Sequence, residues 1–262
     1  MPTDQATLEA IADIFIEAEK AHKLIAPISE QYPDLTPEDC YAVQEIYVGK
    51  KVAAGDRVAG YKVGATGPAS QERFSVKEPI YGHMFQSQRY DSGSTLALGP
   101  LVNPIIECEL GLLLGKDLKG PGITMESALD AIDCVLGTFE VVDSRTEDWK
   151  VGRSEMLCDN SVQAGFVAGG KTVPLGDVDP ANIDCTFKHN GEVIMEANTS
   201  VVAGNPVTSL VWLANKRAQS GIAIPAGSVI LSGSLTGLTN VKSGDTFEAV
   251  FSGIETISIS FK

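Results

Sequence analysis

Hydrophobic positions recur at two different periods along this chain, and the change of period falls near residue 57. Between residues 4 and 24, Leu8, Ile11, Ala12, Phe15, Ala18 and Ala21 return every three or four positions, which predicts an amphipathic helix. Thr36-Pro37-Glu38-Asp39 predicts the start of a second helix. Thr36 suits the cap, Pro37 the first helical position, and the acids fall in the positive first turn. That helix is expected to run to about Ala54 and to stop at Gly55. From Val58 onward, short apolar runs are separated by Gly, Pro and Asp. They predict strands over 58–64, 104–115, 136–142, 162–168, 182–189, 192–202, 228–232, 246–251 and 255–261. Asn190-Gly191 signals a hairpin, because this pair tolerates the positive φ angles of a type I′ turn. Two further helices are expected. One begins at Thr124 and presents Ala128, Ala131, Ile132 and Val135; the other follows Pro206 through Trp212 and Leu213 to Gly221. Strands without regular βα alternation predict an α+β fold rather than a doubly wound sheet. The organisation expected is an N-terminal helical region over 1–57 and a mixed β region over 58–262, together one continuous structural unit.

Composition narrows the picture. With 262 residues and 44% hydrophobic content the chain buries a sizeable core. A net charge of −14 and no concentration of Lys or Arg argue against nucleic-acid binding. The five Cys residues (40, 108, 134, 158 and 185) form no C-x-x-C pair and sit mostly in apolar stretches, as reduced buried thiols do. The first residues show no basic region followed by an apolar core, and no apolar run approaches the ~20 residues of a membrane span. A cytoplasmic protein without membrane contact is the expectation, and in that setting the glycosylation pattern Asn198-Thr199-Ser200 carries no meaning.

Three acids stand out against this background. In Pro104-Ile-Ile-Glu-Cys-Glu-Leu110, alternation puts Ile106, Cys108 and Leu110 on one face of a strand and Glu107 and Glu109 on the other. Side chains at i and i+2 stand roughly 6.5–7 Å apart, within reach of one cation. Glu140 lies in a second apolar strand, Gly137-Thr-Phe-Glu-Val-Val-Asp143. Bare carboxylates are costly to bury, so their placement needs either a half-exposed polar face or a hard divalent cation. Oxygen-only ligands favour Mg²⁺, Mn²⁺ or Ca²⁺ over zinc, and three of them leave positions for water and a chelating substrate.

Other candidates are weaker by themselves. Lys62, in Gly60-Tyr-Lys-Val-Gly-Ala-Thr66, reads by itself first as a solvent-facing strand residue and, beside a metal, as an ammonium that holds a carboxylate or donates a proton. Asp159-Asn160-Ser161 has the composition of a turn. Leu231-Ser-Gly-Ser-Leu-Thr-Gly237 is either a turn or a set of backbone N–H groups offered to an anion. Gly165-Phe-Val-Ala-Gly-Gly-Lys-Thr172 matches the phosphate-loop pattern letter for letter, but Val173-Pro174-Leu175-Gly176 follows where a helix is required. The three histidines (22, 83 and 189) form no cluster, and no G-x-S-x-G elbow is present.

Taken jointly, these residues resemble the 2-keto-4-pentenoate hydratase family, near the 4-oxalocrotonate decarboxylases and within the fumarylacetoacetase superfamily. The marks are Tyr61-Lys-Val-Gly-Ala-Thr66, Pro79-Ile-Tyr-Gly82, Ile106-Glu-Cys-Glu-Leu110, Phe139-Glu-Val-Val-Asp-Ser-Arg145, Asp159-Asn-Ser161 and Leu231-Ser-Gly-Ser-Leu235, spread over nearly the whole length. The resemblance implies a mixed β-sandwich or roll preceded by helices. It implies Mg²⁺ or Mn²⁺ on Glu107, Glu109 and Glu140, Lys62 as the active-site lysine, and Ser161, Ser234, Leu110 and Ile80 about the substrate. That substrate is expected to be a small 2-oxo or 2-hydroxy-dienoic acid, hydrated to a 4-hydroxy-2-oxo acid in the catabolism of aromatics, with a homo-oligomer as the working form.

One position departs from the pattern. Hydratases of this family usually carry Asp where Ile80 stands, whereas Ile resembles the decarboxylases; Trp149 and the Ser-Gly-Ser-Leu run resemble hydratases. Hydration is the first expectation. Decarboxylation of a 4-oxalocrotonate-type acid, C–C hydrolysis of an acylpyruvate, and 2-oxo-acid binding without turnover remain as alternatives.

Overall fold

The structure, a computed structural model, describes residues 3–262. Helix α1 (Gln5–Ala21) starts at Asp4, whose carboxylate accepts the Thr7 N–H at 3.0 Å, and it buries Leu8, Ile11, Ala12, Phe15 and Ala18. A single turn, α2 (Ile28–Gln31), leads to α3 (Pro37–Ala53), where Thr36 and Asp39 satisfy each other's backbone N–H in a capping box. The chain then forms β1 (Val58–Gly64), α4 (Pro68–Arg73), β2 (Ile80–Phe85), β3 (Arg89–Asp91) and β4 (Ser94–Leu96). Two long strands follow, β5 (Pro104–Leu114) and β6 (Ile132–Asp143), with α5 (Met125–Ala131) between them. After them come α6 (Arg153–Cys158), β7 (Gln163–Ala168), β8 (Val173–Pro174), β9 (Asp184–His189), β10 (Glu192–Asn198) and α7 (Val207–Ala218). The chain closes with β11 (Val229–Ser234), β12 (Thr239–Asn240), β13 (Thr246–Phe251) and β14 (Thr256–Phe261).

The strands form two sheets. The larger runs β2-β1-β11-β5-β6-β7-β3, with β12 beside β5 and β8 beside β6; the smaller runs β10-β9-β13-β14-β4. Both are mixed: β1 with β11, β3 with β7 and β14 with β4 pair parallel, and their other pairings are antiparallel. This is the α+β sandwich and roll with helices at the N-terminus that the sequence suggested.

Alternation along the strands builds two different interiors. On one face of the large sheet, Ile106, Cys108, Leu110, Phe139 and Val141 pack against Phe187, Phe247 and Ile257 of the small sheet and against Leu210 and Leu213 of α7. The other face closes on itself, where Met84, Leu136, Phe166, Ala168, Val229 and Leu231 form a small cluster drawn from four strands. The sheet therefore curls, as strand twist permits. Close approach of β1 to β11 depends on Gly60, where a Cβ would lie 1.9 Å from the Val229 carbonyl oxygen. The N-terminal helices share a third core with Ile80, Phe85, Val142, Met156, Leu157 and Val162, so residues on both sides of position 57 are packed together.

Three details differ from the periodicity. The helix from Thr124 ends at Ala131, and Ile132 and Val135 belong to β6. Pairing of Ile132 with Leu114 captures these β-branched residues into the ladder despite their helical spacing. Strand β2 has no polar face: all six of its residues are buried, so it shows no alternation to read. The strand expected over 192–202 stops at Asn198, whose side-chain oxygen accepts the Ser200 N–H and starts a 3₁₀ turn. After Lys171 comes the short strand β8, not a helix, so the phosphate-loop pattern has neither of its structural partners. No helix among the described residues is long and apolar enough to cross a membrane.

Candidate metal centre and active site

The acids meet because of strand register. Glu107 of β5 pairs directly with Glu140 of β6, and Glu109 stands two residues further on the same face. Each of the three offers a carboxylate oxygen within 4.8 Å of the others. Like charges opposite one another on adjacent strands repel, and here they do so in a dry place: Glu109 is 2% and Glu140 1% exposed. Burial, then repulsion from Glu140 and Glu107, pushes the Glu109 carboxyl well above the ordinary carboxylate range. Burial likewise raises Glu140 to about 7, with Lys62 opposing the shift and Glu107 adding to it.

Lys62 supplies positive charge against these acids. Its Nζ lies 3.2 Å from Glu140 Oε1, an ion pair without hydrogen-bond alignment, so that oxygen keeps an unused lone pair. Burial works against the ammonium, and the charges of Glu140, Glu107 and Glu109 overcome it and hold the group above its usual range. Three carboxylates against one ammonium leave a surplus of negative charge. The donor set is all oxygen, tightly converged and underpartnered, which fits a hard divalent cation such as Mg²⁺ or Mn²⁺.

The loop after β11 fixes this cluster. Gly233, at φ +125°, turns its N–H onto Glu109 Oε2 at 2.7 Å, so the Gly/Ser-rich segment does serve an anion, but the anion is the protein's own carboxylate. Ser232 Oγ donates to the Leu110 carbonyl at 2.8 Å, and Thr138 Oγ1 donates to the Glu109 carbonyl at 2.9 Å, pinning β5 from both sides. The acids therefore have little freedom to move apart.

Beside the cluster opens a cavity of about 550 Å³ whose lining includes Lys62, Glu107 and Glu109. Its walls are mostly apolar, from Ala65, Phe74, Val142, Trp149, Met156, Val162 and Leu235, with Thr66, Ser70 and Ser234 as neutral polar groups. One wall is strained. Asn160, Ser161 and Val162 have φ of 48°, 56° and 52°, a left-handed run that costs a non-glycine residue about 1–2 kcal/mol per position. The Asn160 side chain secures it by accepting the His83 N–H (2.7 Å) and donating to the His83 carbonyl (2.8 Å). Gly82 makes room: a Cβ there would lie 2.4 Å from the Asn160 carbonyl oxygen. Strain of this kind persists where surrounding structure overdetermines it and concentrates at functional sites.

The profile of the fumarylacetoacetate (FAA) hydrolase C-terminal family matches residues 56–261. The chain belongs to this family. It is 34% identical over 261 residues to the 2-hydroxyhexa-2,4-dienoate hydratase of Comamonas testosteroni, covering 99% of each chain. Against the 2-oxo-hept-4-ene-1,7-dioate hydratase of Escherichia coli it is 33% identical over 264 residues, covering 98% of this chain and 99% of the relative. The solved structure of 4-oxalocrotonate decarboxylase from Pseudomonas putida G7, complexed with magnesium and adipate, aligns over 100% of both chains with a TM-score of 0.97 at 31% identity.

Of the residues that the family resemblance brought forward, Glu107, Glu109, Glu140, Lys62 and Ser234 gather on the lining of this cavity or beside it. Ser161 lies one position behind the wall, buried, its Oγ without a hydrogen-bond partner. Leu110 requires a correction. Its side chain points into the main core on the face opposite Glu107 and Glu109, as alternation demands, and does not line the cavity. Ile80 also lies outside the lining. It faces a separate cavity with Tyr41 and Leu157, yet it stands close behind the lysine: a Cβ on Gly64 would meet Lys62 Nζ at 3.4 Å and Ile80 Cγ1 at 3.5 Å. Residue reading overlooked Arg73, Phe74 and Met156, which line the cavity from helices whose short length gives no periodic signal.

Proposed function

We propose that this protein is a metal-dependent hydratase that adds water to a 2-hydroxy-2,4-dienoate and releases a 4-hydroxy-2-oxo acid in the catabolism of aromatic compounds. The observation that carries the reading is the convergence of three carboxylates, Glu109 and Glu140 buried and Glu107 half-buried, with Lys62 beside a largely apolar cavity. Curated relatives of full length at 33–34% identity with hydratase activities support it.

Glu107, Glu109 and Glu140 would hold Mg²⁺ or Mn²⁺. The cation would supply a Lewis-acidic point that a 2-oxo acid chelates through its carboxylate and 2-oxygen, stabilising negative charge at that oxygen. The protein's own residues do the rest. Lys62, kept charged by the acids around it, lies where it can exchange a proton with the bound dienol. Loss of the 2-hydroxyl proton and protonation at C5 give the conjugated 2-oxo-3-enoate; water then delivers hydroxide to C4 and a proton to C3. Val142, Met156, Val162 and Leu235 exclude bulk water along the carbon chain, which strengthens the field of Lys62 on the reacting atoms.

Decarboxylation is the second reading, and Ile80 favours it. The position behind Lys62 where an acid would relay a second proton carries a hydrocarbon, and the only acids lining the cavity are Glu107 and Glu109, both of the triad. Loss of CO₂ sends the electron pair of the broken bond through the conjugated chain to the 2-oxygen, and the resulting dienolate needs a single proton, which Lys62 can provide. The experiment is a product assay with Mg²⁺ or Mn²⁺ on 2-hydroxypenta-2,4-dienoate and on 4-oxalocrotonate, following diene absorbance and CO₂ together. Hydration without CO₂ upholds the proposal; CO₂ release from 4-oxalocrotonate without hydration of the pentadienoate transfers it to the second reading.

A further inference from the structure

Lys62 and two acids of the triad line the cavity, and so does Arg73, the exposed last residue of α4. Arg73 and Lys62 are the only cationic residues on that lining. Lys62 is committed to Glu140, whereas Arg73 forms no ion pair among the described residues. Arg57, Arg89 and Arg153 likewise form no ion pair among the described residues, but of these four arginines Arg73 alone lines the cavity. The guanidinium is also held: its Cζ lies 5.3 Å from the centre of the Phe74 ring, itself a lining residue. Thr66 and Ser70 add two hydroxyls to the same lining.

We propose that Arg73 selects a dicarboxylate: the substrate carries a second carboxylate at the end of its chain remote from the 2-oxygen, and the guanidinium fork receives it. The inference rests on the reading above, in which the triad takes the 2-oxo acid. A planar guanidinium matches a carboxylate with two parallel hydrogen bonds, a geometry that Lys cannot reproduce. Charge gives a second reason. A dianion approaching a protein of net charge −14 is repelled, and an exposed, unpaired cation on the cavity lining offsets that repulsion. A monocarboxylate with an alkyl tail would use the apolar walls and leave Arg73 without a partner. Arg73 is thus a specificity residue, distant from the reacting atoms.

The test compares a six-carbon 2-hydroxy-2,4-dienedioate with 2-hydroxypenta-2,4-dienoate in the wild type, Arg73→Gln and Arg73→Lys, with Mn²⁺. The expected result is a wild-type preference for the dioate in kcat/KM. In Arg73→Gln this preference falls about 10-fold, through KM rather than kcat; it recovers partly in Arg73→Lys and shrinks with added salt. A preference for the monocarboxylate in the wild type, or an unchanged ratio in Arg73→Gln, overturns the inference. Wild-type protein that turns over neither compound defeats the reading of function instead. In that event thermal shifts decide the role of Arg73. Stabilisation by a saturated six-carbon dicarboxylate beyond that by the matching monocarboxylate, lost in Arg73→Gln, upholds it, and equal shifts overturn it.

Discussion

Two of the charge clusters buried in this molecule are built on opposite plans. Arg145 and Asp159 form a closed pair. Asp159 takes Arg145 Nε on one oxygen at 2.5 Å and the Arg145 backbone N–H on the other at 3.3 Å, and its own carbonyl receives Arg145 Nη2 at 3.2 Å. Burial lifts the Asp159 carboxyl to about 6 while Arg145 opposes the rise, so charge and hydrogen bonds are matched within the protein. The cluster of Glu107, Glu109, Glu140 and Lys62 is open. It carries more acid than base, its Glu140 Oε1 lacks an aligned donor, and a cavity opens beside it. A fold that needs only stability completes its buried charges; surplus charge facing a cavity is the mark of a site waiting for a ligand.

The contrast is testable from both sides. Breaking the closed pair should have the largest effect: Arg145→Met strands Asp159 in the core and is expected to lower unfolding free energy by about 3–5 kcal/mol, read from urea denaturation. A loss below about 1 kcal/mol would mean that Asp159 finds other partners. The open cluster should respond in reverse. Glu107→Gln is expected to fold normally and to lose roughly 1,000-fold in kcat/KM, about 4 kcal/mol of transition-state stabilisation. Full activity in that variant would end the metal reading.

Lys62→Ala comes next, with kcat expected to fall about 100-fold while Mn²⁺ affinity, measured by calorimetry, is kept. Equal damage to both would reduce Lys62 to a counter-charge. The mildest perturbation adds nothing to the chain. Saturating Mg²⁺ or Mn²⁺ at about 100 times its dissociation constant should stabilise the wild type by about 2.7 kcal/mol and leave Glu107→Gln little changed, as thermal unfolding would show. Identical shifts in the two proteins would place the cation elsewhere.

How far the chain can be read residue by residue depends on the range of the interaction concerned. Alternation alone puts Glu107 and Glu109 on one face of β5, and capping chemistry alone sets the start of α3 at Thr36. The same alternation excludes Leu110 from the cavity, so geometry corrects what resemblance had carried over. Strand β2 escaped notice because burial on both faces erases alternation, and the helix from Thr124 was read too long because pairing with β5 claims Ile132. Arg73 has no sequence signal of its own; it becomes informative only when the cavity gathers it with Lys62.

The sequence by itself determined the local elements, the α+β class, the pair of acids on β5, and a family pattern dense enough to name the chemistry. These rest on neighbours in the chain, whose periodicity and capping are short-range. Tertiary structure alone decided that Glu140 stands opposite Glu107, since that is a matter of strand register. It also decided that Lys62 meets them. Strands β11 and β5 separate β1 from β6, a span of about 14 Å in a flat sheet, and only the curl of the sheet brings Lys62 Nζ within 3.2 Å of Glu140. Three acids and a lysine were visible as residues; their common charge, and the ligand it calls for, exist only once the sheet has closed.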